Sequence, residues 1–302
     1  MRKAIDHAAL VAEPGAEILL NDFDPAFTGP FDQKSDAEAA SAENLTHLAA
    51  LQDLFYADRK RALLIIFQGM DAAGKDSVIR RVMSGVSPQG VDVHAFATPS
   101  PIELAHDFLW RCALVLPARG RIGIFNRSYY EEVAIVRVHE SLLAREHVPA
   151  PAPGSDIWTE RFADIVAFER HIVRNGTIVL KFFLHVSKDE QRKRLLARID
   201  RPDKNWKITP ADLHERTFWE SYRHAYEQLL THTSIPEAPW YIIPADHKWF
   251  TRAAVADVIV RTLGALDLHY PAMSARQQSQ LALEREQLAG GGEAPPVTPV
   301  DA

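Results

Sequence analysis

A chain of 302 residues, 47% hydrophobic and 25% charged, suits one large α/β domain or two small ones and has the balance of an ordinary globular enzyme. Cys112 is the only cysteine, which excludes an intrachain disulfide and a cysteine-based metal site, and a formal charge of −6 argues against a general nucleic-acid binder while leaving local anion sites open. No apolar run approaches a membrane span and Met1-Arg2-Lys3-Ala4-Ile5-Asp6-His7 lacks the apolar core of a signal peptide, so no membrane or nucleic-acid partner and a cytoplasmic location are the expectation.

Residues 1–44 are turn-rich, with Asn21-Asp22-Phe23-Asp24-Pro25 and Thr28-Gly29-Pro30 as punctuation. From Asp36 to Arg61, Leu45, Leu48, Leu51 and Leu54-Phe55 recur at helical spacing. Ala62 to Phe67 is a continuous apolar run, the pattern of a strand buried on both faces, and a helix opens near Gly74. Val91 to Phe96 reads as a strand, Pro101 to Leu116 as a helix, Arg121 to Phe125 as a strand and Ser128 to Val138 as a helix. Pro149-Ala150-Pro151-Ala152-Pro153-Gly154-Ser155 must be loop. The helix Ile157 to Arg174 stops at Asn175-Gly176, and the strand Thr177 to Leu184 follows. Lys188 to Ile199 is a basic helix and Leu213 to Thr231 a long aromatic one, in which Phe218, Trp219, Tyr222 and Tyr226 have the spacing of a core stripe. Trp240 to Ile243 is the last strand and Phe250 to Leu266 the last helix. The tail Gly290-Gly291-Gly292-Glu293-Ala294-Pro295-Pro296 has the composition of a disordered segment. Alternating strands and helices predict an α/β fold: a three-layer α/β/α architecture with a five-stranded parallel sheet. The predicted organisation is a 1–61 extension and leading helix, a 62–270 α/β domain and a 271–302 tail.

The first strand runs into Gln68 and then Gly69-Met70-Asp71-Ala72-Ala73-Gly74-Lys75-Asp76, the strand–loop–helix context that a phosphate loop requires. Gly69 and Gly74 permit backbone conformations that a side chain blocks, the N–H groups of the loop, Ala72 and Ala73 included, can converge on phosphate oxygens, and the helix adds its positive end. Lys75 supplies a point charge for the transferring group. Where Ser or Thr usually follows the lysine this chain has Asp76, with Ser77 one later; Asp71 sits inside the loop. Two carboxylates beside a phosphate site repel it unless a cation intervenes, and Mg2+ suits carboxylates plus phosphate oxygens.

The strand Gly123-Ile124-Phe125 ends in Asn126-Arg127, where parallel sheets bind ligands. Asn126 keeps an acceptor oxygen without the charge of the usual Asp, shifting metal binding towards Asp71. Arg127 suits bidentate phosphate binding. Glu131, four residues on, orients Arg127, contacts the acceptor, or is an ordinary surface ion pair. Lys181 to Lys207 holds nine Lys and Arg against four Asp and Glu, in a chain that is negative overall. Arg194, Arg198 and Arg201 step by four and three as on one helix face, with Leu195, Leu196 and Ile199 towards the body; Pro202 stops the helix and Asp203-Lys204-Asn205-Trp206-Lys207 is a loop. This is either a solvated charged helix or a lid that neutralises phosphoryl charge. The histidines, His94, His106 and His139 among them, have no metal-ligand spacing and read as packing or surface residues.

The loop with its unusual Asp76, together with Ser87-Pro88-Gln89-Gly90-Val91, Phe108-Leu109-Trp110-Arg111, Leu116-Pro117, Phe125-Asn126-Arg127-Ser128-Tyr129-Tyr130-Glu131 and Lys204-Asn205-Trp206-Lys207, resembles the polyphosphate kinase 2 family across roughly Leu19 to Leu266. Asn126 and Tyr129-Tyr130-Glu131 are similar to its class III branch, which acts on both AMP and ADP; other branches carry Asp at that position. The resemblance implies a P-loop kinase-like three-layer α/β/α fold whose 62–270 phosphotransferase domain carries a helical lid at about residues 190–212. It implies in-line, reversible, Mg2+-dependent transfer from inorganic polyphosphate to AMP and ADP, with GMP or GDP as further acceptors, in a dimer or tetramer. It implies that Asp71 binds metal or orients the acceptor, with Asp76 as the second metal carboxylate. Lys75, Arg127 and lid arginines such as Arg194 bind phosphates, and Lys204 and Lys207 complete the lid. Arg80 and Arg81 line the polyphosphate path unless they are ordinary exposed helix charges. Two rivals share parts of this pattern: an ATP-dependent nucleoside monophosphate kinase and a non-catalytic nucleotide-binding regulatory protein.

Overall fold

The computed structural model describes residues 3–149, 154–203, 205 and 210–290. Lys204, Trp206 and Lys207 of the expected lid, residues 150–153 of the expected loop and the tail from residue 291 lie outside the described residues. The chain divides into two compact units, Met1–Leu268 and His269–Ala302.

In the first unit, β2 (Ala62–Gln68) is central, with β4 (Ile122–Asn126) parallel on one side and β5 (Thr177–His185) parallel on the other. All seven β2 residues are buried, because two hydrogen-bonded neighbours and helices on both faces leave no wet side. β3 (Val91–Ala95) forms the edge beyond β4, and its mixed Val-Asp-Val-His-Ala composition matches its partial exposure. β6 (Trp240–Pro244) continues the parallel sheet beyond β5. The expected five-stranded parallel sheet is corrected to six strands, ordered β1-β6-β5-β2-β4-β3: β1 (Val11–Ala12) pairs antiparallel with β6. Two residues are too few for a period-2 signal, and only the pairing with Tyr241 and Trp240 makes them a strand.

The leading helix α1 (Lys34–Asp58) packs along α10 (Lys248–Gly264), which also packs on the phosphate-loop helix α2 (Lys75–Val82). On the opposite side α5 (Glu131–Val138), α6 (Ile157–Arg174) and α9 (Trp219–Thr233) pack together. α7 (Lys188–Ile199) follows β5. Sheet and flanking helices form the three layers.

Several expected helices are broken by local chemistry. Pro101 to Leu116 becomes α3 (Pro101–Leu104), opened by a Ser100–Glu103 capping box, and α4 (Trp110–Ala113); between them the Asp107 carboxylate accepts the Leu109 N–H at 3.0 Å and competes with helix. The helix expected from Ser128 starts at Glu131; Arg127 before it is left-handed at φ 66°, and the Ser128 hydroxyl takes the Tyr130 N–H at 3.2 Å. The long aromatic helix is α8 (Pro210–Glu215), a 3-10 turn at Arg216–Phe218, and α9. α7 ends at Ile199, so Arg201 is not on its face; it pairs with Asp203 at 2.8 Å outside the helix. Leu195 is buried as expected, whereas Leu196 and Ile199 are exposed. In the second unit, α11 (Ala275–Ala289) starts from a Ser274–Gln277 capping box, a helix not anticipated in the tail.

Asp257 on α10 ties the N-terminal segment down. Its Oδ2 lies 2.7 Å from His7 Nε2 and 3.1 Å from Arg261 Nε, and its Oδ1 accepts from Asn44 Nδ2 at 3.2 Å. Burial alone raises this carboxyl's pKa, but the hydrogen bonds from His7 and Asn44 and the charge of Arg261 hold it below the ordinary value. A depressed folded pKa contributes stability above the unfolded value that is lost as pH falls through the folded one. Asp257→Ala is therefore expected to cost about 1–3 kcal/mol near neutral pH and to weaken the acid dependence of stability, read from urea midpoints at several pH values.

Candidate active site

The phosphate loop leaves β2 through three left-handed positions: Gly69 at φ 147°, Ala72 at 60° and Gly74 at 111°. Ala72 is a non-glycine residue held in a conformation that glycine adopts freely, so the surroundings must impose it. At Gly69 the requirement is also spatial, because a Cβ there would stand 2.8 Å from the Leu184 carbonyl oxygen of β5. At the start of α2, Lys75 is buried, and its Nζ donates to the Gly69 carbonyl at 2.7 Å. Burial, and then the charge of Arg127, push its ammonium down to about 8, while Asp71, Glu131 and Asp76 oppose the shift.

Arg127 joins the loop to α5. Its Nη2 donates to Asp71 Oδ1 at 2.8 Å and its Nη1 to Glu131 Oε2 at 2.7 Å. Glu131, then Asp71, hold the guanidinium pKa above its ordinary value against the opposing effect of burial. All three side chains are partly or largely shielded, so these pairs are tighter than surface ion pairs. Of the readings open for Glu131, the carboxylate meets Arg127 in an i,i+4 pair that is largely shielded from solvent. Glu131 Oε1 is buried and has no hydrogen-bond partner. Asn126 Nδ2 donates to Asp76 Oδ1 at 2.8 Å, placing the exposed Asp76 carboxylate at the C-terminal end of β4.

Arg194 has a different place from a lid arginine that reaches a transferring phosphate. It is buried, its Nη1 donates to the Ala72 and Ala73 carbonyls at 3.1 and 2.8 Å, and its Nη2 to the Ala245 and Asp246 carbonyls. Its Nε donates to Glu190 at 2.9 Å. The guanidinium thus clamps the strained back of the phosphate loop to the β6–α10 connection. Of the other basic candidates, Arg198 is half-buried on α7, and Arg80 and Arg81 are exposed on α2.

Four side chains missed by sequence reasoning complete the surroundings. Arg252 on α10 donates from Nη2 to Ser77 Oγ at 2.8 Å, and its Nε is buried without a partner. Burial, then the like charge of Arg81, lower its pKa, so positive charge gathers along this side of α2. Gln191 Nε2 donates to the Asp71 carbonyl at 3.1 Å, while Arg216 Nη1 donates to Gln191 Oε1 and to the Lys188 carbonyl, each at 2.9 Å. Glu215 accepts from the Tyr222 hydroxyl at 2.5 Å and lies 2.8 Å from His139 Nε2, so His139 belongs to a polar cluster and is not an isolated packing residue. The signal for Arg216 was its basic charge near the start of the expected aromatic helix; Arg252 lies 175 residues from Ser77, and nothing local signalled their contact.

A cleft opens beside Asp71 and Arg127, walled by Gln191, Arg216, Trp219, Tyr222 and Tyr226. The aromatic stripe expected as core is therefore also the wall of the cleft. Among the described residues, no group of three or more His, Cys, Asp or Glu side chains is gathered for a metal, and no helix is long and apolar enough to cross a membrane.

A strained phosphate loop, its lysine and a strand-end arginine at the carboxyl edge of a parallel sheet define a P-loop phosphotransferase. The family profile of Polyphosphate kinase 2 (PPK2) matches residues 32–270, and the chain belongs to that family of polyphosphate kinases. It is 50% identical over 266 residues to an ADP-polyphosphate phosphotransferase of Rhodopseudomonas palustris, covering 87% of this chain and 92% of that one. It is 42% identical over 261 residues to an AMP/ADP-polyphosphate phosphotransferase of Meiothermus ruber, covering 86% and 93%. The crystal structure of polyphosphate kinase 2 from Arthrobacter aurescens superposes with a TM-score of 0.81 at 37% identity, covering 91% of this chain and 98% of that one.

Two expectations follow. Gly69→Ala must displace the backbone of β5 or the loop, at a cost of about 1–3 kcal/mol in thermal or urea unfolding, and must weaken phosphate binding. Lys75 lies below its ordinary 10.5, so the ligand-free protein gains stability as pH rises from about 8 towards 10.5. An anion on the loop reverses that preference. Pyrophosphate binding near pH 8 should take up protons, seen by calorimetry in buffers of different ionisation enthalpy, and Lys75→Met should abolish the uptake.

Proposed function

We propose that this chain transfers the terminal phosphoryl group of inorganic polyphosphate to AMP and ADP, reversibly and with Mg2+. The observation that carries the reading is Arg127, held by Asp71 and Glu131 between the phosphate loop and an aromatic-walled cleft. The relatives named for ADP and for AMP/ADP support these acceptors, with GMP and GDP as further candidates.

The roles follow from charge and placement. Lys75 and the loop N–H groups of Gly69 to Gly74 hold the transferring phosphoryl group, and Arg127 neutralises the charge that develops on it. Asp71, beside the cleft, orients the attacking phosphate of the acceptor. The attacking acceptor oxygen forms the new P–O bond as the bond from the terminal phosphorus to its bridging oxygen breaks, and that oxygen leaves on the shortened polyphosphate with the electron pair. Arg80 and Arg81, extended by Arg252, line the path of the remaining polyphosphate. Arg198, Arg201, Lys204 and Lys207 supply lid charge. Arg194 contributes by fixing the loop.

The donors present fit Mg2+, which takes one or two carboxylates and fills its shell with phosphate oxygens and water. Asp76 offers an exposed carboxylate beside the loop, and Asp71 is bound by Arg127 through one oxygen. Mg2+ bound there would offset negative charge on the phosphates. The reading places the enzyme in the cytoplasm as a homo-oligomer, with neither membrane nor nucleic-acid polymer as partner.

The decisive assay supplies purified protein with Mg2+ and each of AMP, ADP, GMP and GDP, with polyphosphate as donor in one arm and ATP in the other. ATP should form from ADP, and ADP from AMP. Transfer only from ATP to a monophosphate makes it a nucleoside monophosphate kinase, and no transfer leaves a nucleotide-binding protein. Arg127→Ala should lower kcat about 10³-fold or more while the fold persists by circular dichroism. Asp71→Asn should raise the Mg2+ concentration needed for half-maximal rate.

A further inference from the structure

Beneath the active-site loop lies an ion pair that none of the roles above uses. Lys181 on β5 and Glu169 on α6 both have fully buried side chains, with Nζ and Oε2 2.6 Å apart. The other two Lys181 bonds go to the Thr233 carbonyl at 2.7 Å and the Tyr130 hydroxyl at 3.0 Å. Glu169 Oε1 accepts from the hydroxyls of Tyr129 at 2.9 Å and Tyr130 at 2.7 Å. Every donor of the ammonium and both carboxylate oxygens are thus satisfied.

Such a pair is a poor device for stability alone, since apolar residues of the same volume often serve as well or better. Its placement gives it another use. Tyr129 and Tyr130 are consecutive and lie between Arg127 and Glu131. Their hydroxyls converge on one oxygen, so the chain is fixed at two successive side chains immediately after Arg127, whose left-handed φ of 66° a non-glycine residue does not adopt without outside restraint. From the other side, Ser128 Oγ accepts from Gln68 Nε2 at 3.3 Å and from Tyr130 N–H at 3.2 Å.

We propose that the buried Glu169–Lys181 pair, acting through the Tyr129 and Tyr130 hydroxyls, is the positioning device that holds Arg127 and Glu131 in register with the phosphate loop. Glu169, Lys181, Tyr129 and Tyr130 are positioning residues; none of them touches the reacting atoms. Tyr130 is the pivotal one, because its hydroxyl bonds both charges, whereas Tyr129 bonds one.

The inference rests on the phosphotransfer reading, so the test has one arm that needs no activity. Tyr130→Phe removes one hydroxyl and keeps the ring, and Glu169→Gln with Lys181→Met removes both charges together. In polyphosphate-driven phosphorylation of ADP, Tyr130→Phe and the double variant should each lower kcat about tenfold or more, with KM for ADP changed much less; Tyr129→Phe should have the smaller effect. In the ligand-free protein, hydrogen exchange by mass spectrometry should speed up in residues 127–131 of Tyr130→Phe and stay unchanged in β2. Unchanged kcat in folded Tyr130→Phe, or faster exchange spread evenly over the sheet, would overturn the proposal and leave the pair a purely structural one. If the double variant does not fold, Tyr130→Phe decides alone. If the wild type transfers no phosphate from polyphosphate, the function reading fails, and the exchange arm still decides whether the pair positions the loop.

Discussion

The guanidinium of Arg127 spans two carboxylates from different parts of the chain, Asp71 in the phosphate loop and Glu131 at the start of α5. That double pairing relates the loop after β2 to the loop after β4, which the sheet by itself brings only to neighbouring strand ends. It also sets the charge of the site. Without Arg127, the Asp71 and Glu131 carboxylates would each lose this ion-pair partner. A left-handed backbone at Arg127 lets its side chain reach both partners, and that geometry is tolerable because the residues on either side are anchored.

The cations around the phosphate loop have three different uses. Lys75 is buried against the loop's own carbonyls, so its proton is loosely held until an anion arrives. Arg194 is consumed by carbonyls behind the loop and behaves as part of the scaffold, keeping Ala72 left-handed and tying the loop to the end of β6. Arg252, with Arg81 nearby and one nitrogen buried without a partner, adds positive charge that the fold does not neutralise fully. Net charge says little about this division. A chain with a formal charge of −6 still sets Arg81 and Arg252 close enough for each to feel the other's charge.

The cleft beside Asp71 illustrates how a site is made from residues that also form a core. Trp219, Tyr222 and Tyr226 pack as a helical stripe, yet one side of the stripe faces the cleft. Residues from α7 and from the segment before α9 close it through the chain Asp71–Gln191–Arg216. This chain ties the phosphate loop to α7 and to the turn before α9.

Much of the architecture was legible in local patterns. The apolar run of β2, the glycine loop, Asn126-Arg127 at the end of β4 and the extents of α6 and α7 follow from hydrophobic periodicity, caps and glycine chemistry, which act over a few residues. The sequence also determined the family, since several short motifs in the right order are far more specific than one loop. What it did not contain was any record of who meets whom. Arg194 and Arg201 look alike in a basic run, but one is buried against carbonyls and the other is exposed beside Asp203. β1 exists only because β6 presents an open edge. Arg252 reaches Ser77 across 175 residues, and Tyr129 and Tyr130 find Glu169 on another helix. Those roles belong to the tertiary structure, because desolvation and hydrogen-bond geometry depend on distance in space, and residue type alone leaves both undetermined.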